Sequence, residues 1–190
     1  YIVPGKRVHL VGIGGVSMCP LAEVLRGMGL TVQGPDMTDS DTVKHLRSLD
    51  IPVAIGPHAE NLGDCDFVVR TAAVHDSNPE IAGAVARGIP VYERAQAWGA
   101  IMQRYPNALC VSGTHGKTTT TSMCAHLLHE SHVGCNAFLG GISKNYATNY
   151  ILSGSDYVVI EADEFDRSCH WLRPWISVIT STDPDHLDIY

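Results

Sequence analysis

A lysine and a row of threonines follow a glycine-containing turn in the middle of the chain, an arrangement typical of phosphate binding. Residues 112–119 read SGTHGKTT, and the apolar stretch before them, Ala108 to Val111, predicts a buried strand. Backbone N–H groups at the start of the next helix attract an anion. A lysine placed here can reach the β- and γ-phosphates of a nucleotide, and the next hydroxyl can ligate Mg²⁺. We therefore predict an ATP site formed by Gly113, Thr114, His115, Gly116, Lys117, Thr118 and Thr119.

This loop departs from the common phosphate-loop pattern G-x-x-x-x-G-K-[ST], because Val111 stands where the pattern has its first glycine. The general pattern alone does not decide between a phosphate site and a glycine turn before an ordinary Thr-rich helix. The coincidence of strand, turn and helix favours the phosphate site.

A second glycine-rich turn lies near the start of the chain. Gly12-x-Gly14-x-x-Ser17 follows the β-like stretch Arg7 to Val11 and opens a predicted helix, with serine in place of the third glycine of the dinucleotide fingerprint. Asp36 ends the next predicted strand, where a ribose-binding acid belongs. Three interpretations stay open: an NAD or FAD site, a UDP-sugar site whose pyrophosphate uses the same helix terminus, and a tight turn without a ligand.

Acidic residues follow the last two predicted strands. Val158 to Ile160 is apolar and leads into Glu161, and in open α/β sheets ligands gather at the carboxyl ends of strands. A carboxylate beside a nucleotide loop can hold Mg²⁺ directly or through water. For Asp163, Glu164 and Asp166 a solvated acid is the simpler interpretation. His186, after the predicted strand Ile176 to Thr180, would by itself be a loop residue, because hard cations prefer oxygen.

The elements that position these residues alternate strand and helix, which predicts parallel sheets with right-handed crossovers. We expect an α/β fold with a Rossmann-like parallel-sheet domain over residues 1–105, then an incomplete P-loop-type α/β domain over residues 106–190. In the second domain a helix is predicted from about Lys117 to His129, and Gly140-Gly141 with Asn145 to Asn149 predicts a loop-rich stretch. The second sheet looks incomplete, so a fragment of a longer enzyme is expected.

Composition excludes several classes of function. The net charge of −7 over 190 residues gives no basic footprint for nucleic acid. The six cysteines show no C-x-x-C pair or zinc spacing, which indicates reduced thiols in the cytoplasm. The absence of a signal-like start or a long apolar run argues against membrane insertion. The sequence leaves the oligomeric state undetermined.

The run GTHGKTTT, residues 113–120, resembles the ATP loop of the Mur ligases, the ATP-dependent amide-forming enzymes of peptidoglycan synthesis. Many members have asparagine at the third place. His115 there resembles the branch that acts on UDP-N-acetylmuramic acid, adding either L-alanine or a recycled murein tripeptide. The run HLVGIGGVSM, residues 9–18, is similar to the L-alanine-adding enzymes, because the recycling enzymes usually break the Gly-Gly step.

The resemblance implies that the first domain binds UDP-N-acetylmuramic acid. Residues 71–74 with 78–81 resemble the uridine-side loop of the family, and Gly56-x-His58-x-x-Asn61 occupies a similar position. The implied UDP-sugar-binding residues are Gly12, Gly14, Gly15, Val16, Ser17, Met18, Asp36, His58, Thr71 and Ala72.

The resemblance also assigns metal and catalytic residues. Residues 161–166, EADEFD, are similar to a segment of this branch in which the first acid holds Mg²⁺, and residues 185–188, DHLD, resemble one whose histidine ligates a second Mg²⁺. It thus implies Thr118, Glu161 and His186 as metal ligands, and Lys117, Glu161 and His186 as catalytic. Most members carry asparagine where Ser181 stands, which puts the role of that asparagine in doubt here.

The implied activity joins L-alanine to the lactyl carboxylate of UDP-N-acetylmuramic acid through an acyl-phosphate, using ATP. A third, amino-acid-binding domain is implied and is missing from these 190 residues, so the chain alone is expected to be inactive. A tripeptide-recycling ligase and a non-catalytic nucleotide-binding module remain as alternatives, and a dehydrogenase is the least favoured.

Overall fold

The computed structural model describes residues 1–162 and 171–183. The chain forms two compact units, Tyr1–Ala97 and Trp98–Tyr190. Strands and helices alternate in both, which confirms the predicted α/β class. The two units divide between Ala97 and Trp98, inside the helix Arg94–Met102. This point lies a few residues before the predicted boundary at residues 105–106.

The first unit is built on a five-stranded parallel sheet in the order β3-β2-β1-β4-β5. Because the order reverses between β1 and β4, a crevice is expected at the carboxyl ends of these two strands. Its elements are β1 (Arg7–Leu10), α1 (Met18–Gly27), β2 (Thr31–Asp36), α2 (Asp41–Ser48), β3 (Val53–Ile55), a 3₁₀ turn (Ala59–Leu62), β4 (Phe67–Arg70), α3 (Pro79–Ala86), β5 (Val91–Glu93) and α4 (Arg94–Met102), which runs past the end of the unit.

Two helices of this unit begin and end at residues whose chemistry accounts for their bounds. Helix α1 buries Leu21, Val24 and Leu25 against the sheet, and Gly29 follows its end with a φ of 85°. Helix α3 starts at Asn78, whose side chain accepts hydrogen bonds from the backbone of Glu80 and Ile81, with proline in the first turn. Both positions are occupied by residues that commonly begin or end helices.

The second unit contains a sheet in the order β10-β6-β9-β7-β8. Strand β8 pairs antiparallel with β7, and the other pairs are parallel. Its remaining elements are β6 (Asn107–Ser112), α5 (Lys117–Glu130), β7 (Asn136–Ser143), β8 (Thr148–Ile151), β9 (Tyr157–Glu161) and β10 (Ile176–Ile179).

The prediction of a loop-rich stretch over residues 140–149 holds only for the turn at residues 144–147. Residues 140–143 end β7 and residues 148–149 begin β8, and the two strands form a hairpin with a register irregularity between Phe138 and Ser143. Two glycines and two asparagines in this stretch disfavour strands on propensity. Glycine at position 140 lets the Glu161 carboxylate approach β7, since a Cβ atom there would lie 2.4 Å from both of its oxygens. Tertiary contact therefore outweighs local propensity.

None of the helices within the described ranges is long and apolar enough to cross a membrane.

Candidate phosphate-binding sites

The turn after β1 is held against the end of β2 by backbone hydrogen bonds. Gly12, with a φ of 78°, and Ile13 donate their N–H groups to the carbonyl of Pro35 at 3.1 and 3.0 Å. The N–H of Gly14 donates to Oδ2 of Asp36 at 2.8 Å. The turn is thus fixed by its own sheet before any ligand binds.

Gly14 lacks a side chain for a packing reason. A Cβ atom there would lie 2.8 Å from both Asp36 Oδ2 and Val43 Cγ2. At Gly15 a Cβ atom would meet only the Gly12 carbonyl, at 3.3 Å. The fingerprint glycine therefore lets β2 and α2 approach the turn, whereas Gly15 belongs to its exposed side.

The other predicted UDP-sugar residues of this turn divide into exposed and buried groups. Gly15, Val16 and Ser17 are exposed, Val16 to 95%. The Met18 side chain is fully buried, and its N–H donates to the Gly15 carbonyl. The structure therefore places Met18 in the core beneath the turn. The exposed residues before it offer the surface on which a phosphate could lie.

Three further predicted residues follow the carboxyl ends of neighbouring strands. His58 lies after β3 in a segment joined to β2, because the N–H of Gly56 donates to the Asp36 carbonyl at 2.9 Å. Thr71 and Ala72 follow β4 directly. Since carboxyl ends of parallel strands share one edge of a sheet, these residues and the glycine turn lie along the same edge. Their ligand contacts stay a prediction.

The loop that begins at Thr71, between β4 and α3, is held by an arginine that sequence reasoning did not single out. Arg70 hydrogen-bonds and pairs with Asp76 in that loop and with Glu93 at the end of β5. These carboxylates, Asp76 foremost, raise the pKa of Arg70. The parallel pairing of Arg70 with Glu93 could have indicated the second contact.

The loop between β6 and α5 has the conformation that its two glycines permit. Gly113 has a φ of 128°, and Gly116 precedes the helix with a φ of 81°. Nζ of Lys117 donates to the Gly113 carbonyl at 2.8 Å, so the lysine folds over the loop. The N–H groups of the first turn of an α-helix have no acceptor within the helix, and such groups form anion sites in phosphate loops.

A segment distant in sequence, residues 180–183, holds this loop through hydroxyl groups. The Oγ of Ser181 accepts a hydrogen bond from the His115 N–H at 2.9 Å, and Thr114 Oγ1 donates to the Asp183 carbonyl at 2.6 Å. Thr180 Oγ1 donates to the carbonyls of Ser112, at 3.1 Å, and His115. Ser181 therefore has a structural contact at the position where the sequence departs from its resemblance. The parallel pairing of Ser112 with Ile179 brings the two segments together.

Glu161 and Thr118 form the candidate magnesium site. Thr118 Oγ1 donates to Glu161 Oε1 at 2.9 Å, and the Gly140 N–H donates to Glu161 Oε2 at 2.8 Å. The two oxygen donors converge at the start of α5, beside the loop, which fits a hard cation. Within the described ranges no three Asp, Glu, His or Cys residues cluster as a metal site. The remaining ligands would then come from phosphates and water, as Mg²⁺ usually prefers.

Several predicted acids and the histidine lie outside the described residues. These are Asp163, Glu164, Asp166, Asp185 and His186. The assignment of His186 to a second metal therefore stays a prediction.

Comparison with known proteins agrees with this geometry. Residues 7–106 match the profile described as the Mur ligase family, catalytic domain, and residues 111–190 match the Mur ligase middle domain. The chain belongs to the Mur ligase family. The resemblance stated from the ATP loop and the first glycine turn is confirmed.

The relatives include ligases of both kinds considered above. The chain is 49% identical to the UDP-N-acetylmuramate–L-alanine ligase of Phocaeicola vulgatus over 97% of its own length and 42% of that protein's. Its fold matches the UDP-N-acetylmuramate–alanine ligase of Thermotoga maritima with a TM-score of 0.87 at 35% identity, covering 97% of this chain and 43% of that one. It also matches the UDP-N-acetylmuramate:L-alanyl-γ-D-glutamyl-meso-diaminopimelate ligase of Neisseria meningitides, with a TM-score of 0.88 at 29% identity, covering 98% and 63%. The chain thus spans about two fifths of the curated relative's length.

Proposed function

We propose that this chain supplies the UDP-sugar site and the ATP loop of a ligase that joins L-alanine to the lactyl carboxylate of UDP-N-acetylmuramic acid. The observation that carries the proposal is the pair of strand–turn–helix phosphate sites, of which the second lies beside a carboxylate and a hydroxyl that fit Mg²⁺. One turn would hold the pyrophosphate of the sugar nucleotide, and the other would hold ATP.

Carboxylate activation by ATP needs positioning and charge neutralisation more than covalent chemistry from the protein. Lys117 would leave the Gly113 carbonyl and face the γ-phosphate, with the first-turn N–H groups of α5 on the other phosphate oxygens. Thr118 and Glu161 would hold Mg²⁺, which supplies further neutralisation of phosphate charge. His186 is proposed as a ligand of a second Mg²⁺ on the basis of the resemblance alone.

In the first unit the exposed residues of the turn would bind pyrophosphate, and the loops at His58 and at Thr71 would contact the nucleoside. Asp36 is engaged by the Gly14 N–H, so its proposed contact with the ligand would use the remaining carboxylate capacity. The five described cysteines are all free, which supports a proposal of a reducing, cytoplasmic setting.

The tripeptide-recycling ligase is the second candidate, because the fold matches the Neisseria enzyme as well as it matches the Thermotoga one. The two candidates share the sugar nucleotide and ATP, and they differ in the amine that attacks the activated carboxylate. Higher sequence identity with the L-alanine ligase supports the first.

A chimaera tests the proposal, in which this segment replaces the matching part of the Phocaeicola vulgatus ligase. It is incubated with UDP-N-acetylmuramic acid, ATP, Mg²⁺ and either labelled L-alanine or the labelled tripeptide. We expect product with L-alanine. Because the amino-acid-binding domain of this chimaera comes from the L-alanine ligase, the second candidate is tested by a matching chimaera with the Neisseria meningitides ligase. Product from the tripeptide in that chimaera, without product from L-alanine in the first, would favour the second candidate. Binding of both nucleotides without product in either chimaera would indicate a non-catalytic module.

A further inference from the structure

A histidine and a glutamate are paired inside the first unit, away from the surfaces described above. Nε2 of His9 lies 2.7 Å from Oε2 of Glu80, and their side chains are 1% and 0% exposed. A buried carboxylate is costly unless hydrogen bonds compensate its lost hydration. His9 lies near the end of β1 and Glu80 near the start of α3. The other groups that hydrogen-bond to this pair indicate its role.

The other oxygen of Glu80 holds the segment that carries His58. Oε1 accepts from the His58 N–H at 3.0 Å and from Asn61 Nδ2 at 2.8 Å. Asn61 Nδ2 also donates to the Gly56 carbonyl at 2.9 Å, which closes residues 56–61 into a compact loop. We call residues 56–61 the His58 loop. A single buried carboxylate thus joins this loop to β1, the strand that leads into the glycine turn.

The hydrogen-bond directions in this cluster are mutually consistent. Gln33 Nε2 donates to the carbonyls of Asn61 and Leu62, at 3.3 and 3.2 Å, and lies 3.4 Å from Nδ1 of His9. The two hydrogens of the Gln33 amide are directed to those carbonyls, and the carboxylate facing Nε2 favours the histidine tautomer with its proton on Nε2. That proton points to Glu80, an acceptor-only group when ionised, which receives three donors. Each group restricts the next, and the network specifies one position of the loop.

We propose that Glu80 is a positioning residue for ligand binding, acting through the backbone of His58 on the nucleoside side of the UDP-sugar site. The proposal rests on the assignment of the UDP-sugar site to this unit. Glu80 is fully buried and cannot contact the ligand itself. The His58 ring is kept beside Gly56, where an added Cβ atom would lie 3.0 Å from Nε2. The buried pair would hold the exposed histidine ready for the ligand.

The test is a double-mutant cycle of Glu80→Gln and His58→Ala in the 190-residue chain. Glu80→Gln keeps the shape but places an amide NH₂ group among three donors, so one contact is lost or the His9 tautomer changes. Affinity for UDP and for UDP-N-acetylmuramic acid is measured by calorimetry. We expect each single variant to weaken both ligands about tenfold, an effect of the size that a lost hydrogen bond gives.

The affinity of the double variant, compared with those of the two single variants, tests the inference. If Glu80 acts through His58, Glu80→Gln causes no further loss of affinity in the His58→Ala background, because coupled residues are not additive. Additive losses, or full affinity in Glu80→Gln, would overturn the proposal. Asp64→Asn, at an exposed acid of the same unit that lies outside the His58 loop, is the control and should bind as the parent does.

Two measurements keep this result distinct from other failures. Thermal unfolding of each variant shows whether Glu80→Gln still folds, and Glu80→Asp serves as the second variant if it does not. Partial recovery of affinity by Glu80→Asp supports the positioning role. If the parent chain binds neither UDP nor the sugar nucleotide, the proposed UDP-sugar site itself fails, whatever the variants do.

Discussion

The two phosphate turns follow the same plan of strand, glycine turn and helix, but they are held in different ways. The turn at Gly12 is anchored by backbone donors on the Pro35 carbonyl and by the adjacent carboxylate of Asp36. The loop at Gly113 is held by side-chain hydroxyl contacts with residues 180–183, more than sixty residues later, and by its own lysine. The first turn is held mainly by its own backbone N–H groups, and the second is held by side chains that can exchange hydrogen-bond partners.

This difference corresponds to what each turn would do. A site that only binds gains affinity from a geometry prepared in advance. A loop that handles a phosphoryl group must move its lysine from a backbone carbonyl to the developing charge. The contrast fits the proposal of a binding turn and a catalytic loop, and four experiments of decreasing expected effect test it.

The largest effect is expected for Lys117→Ala in the chimaera with the Phocaeicola vulgatus ligase. Removing a cation aimed at phosphoryl charge typically lowers turnover about a hundredfold or more. Affinity for UDP-N-acetylmuramic acid, measured by calorimetry, should stay unchanged because the sugar nucleotide uses the other turn. Near-normal turnover would show that the loop at 113–118 is not the catalytic phosphate site.

Gly14→Ala and Gly15→Ala should differ in stability. The Gly14 variant forces Asp36 and Val43 to move, and we expect a loss of about 1–3 kcal/mol in the free energy of unfolding, as for other overpacked sites. Gly15→Ala should cost less, since its Cβ atom meets only one carbonyl. Urea denaturation of both variants measures the difference. Equal losses would mean that β2 and α2 do not constrain the turn.

Ser181→Ala tests whether the second loop depends on the distant hydroxyl. Loss of the acceptor for the His115 N–H should cost about 1 kcal/mol locally and speed hydrogen exchange at that amide. Exchange at Gly14 should not change. Ser177→Ala, at an exposed position of β10, is the matched control. If hydrogen exchange at the His115 amide is unaltered in the Ser181 variant, the loop does not depend on the Ser181 hydroxyl.

The smallest difference between the two units is expected in the reactivity of their buried cysteine thiols. Burial raises the pKa of Cys19, in α1, and of Cys110, in β6, to about 12 in each case. A raised pKa keeps the thiol neutral, so at pH 8 only about one in ten thousand is thiolate. Neither should react with iodoacetamide while Cys124, nearer the surface, is modified. Selective labelling of Cys110 by mass spectrometry would show that the second unit is looser throughout, and not in its loop alone.

The sequence predicts most of the strands and helices, because these depend on local signals such as the apolar stretches before Gly12 and Glu161. It missed the hairpin of β7 and β8, since the need for Gly140 comes from Glu161 twenty-one residues later. It identified Glu161 and Thr118 separately. The hydroxyl–carboxylate contact, the Ser181 support and the buried His9–Glu80 pair depend on which strands lie side by side, which local patterns do not encode.

One titration tests the central claim that the two turns bind different nucleotides. The amide signals of the isotope-labelled 190-residue chain are followed by NMR as UDP-N-acetylmuramic acid, ATP with Mg²⁺, and NAD are added in separate experiments. The sugar nucleotide should shift the amides of residues 12–18, ATP should shift those of residues 113–119, and NAD should shift neither set. Shifts at residues 12–18 with NAD, or at 113–119 with the sugar nucleotide alone, would contradict the account.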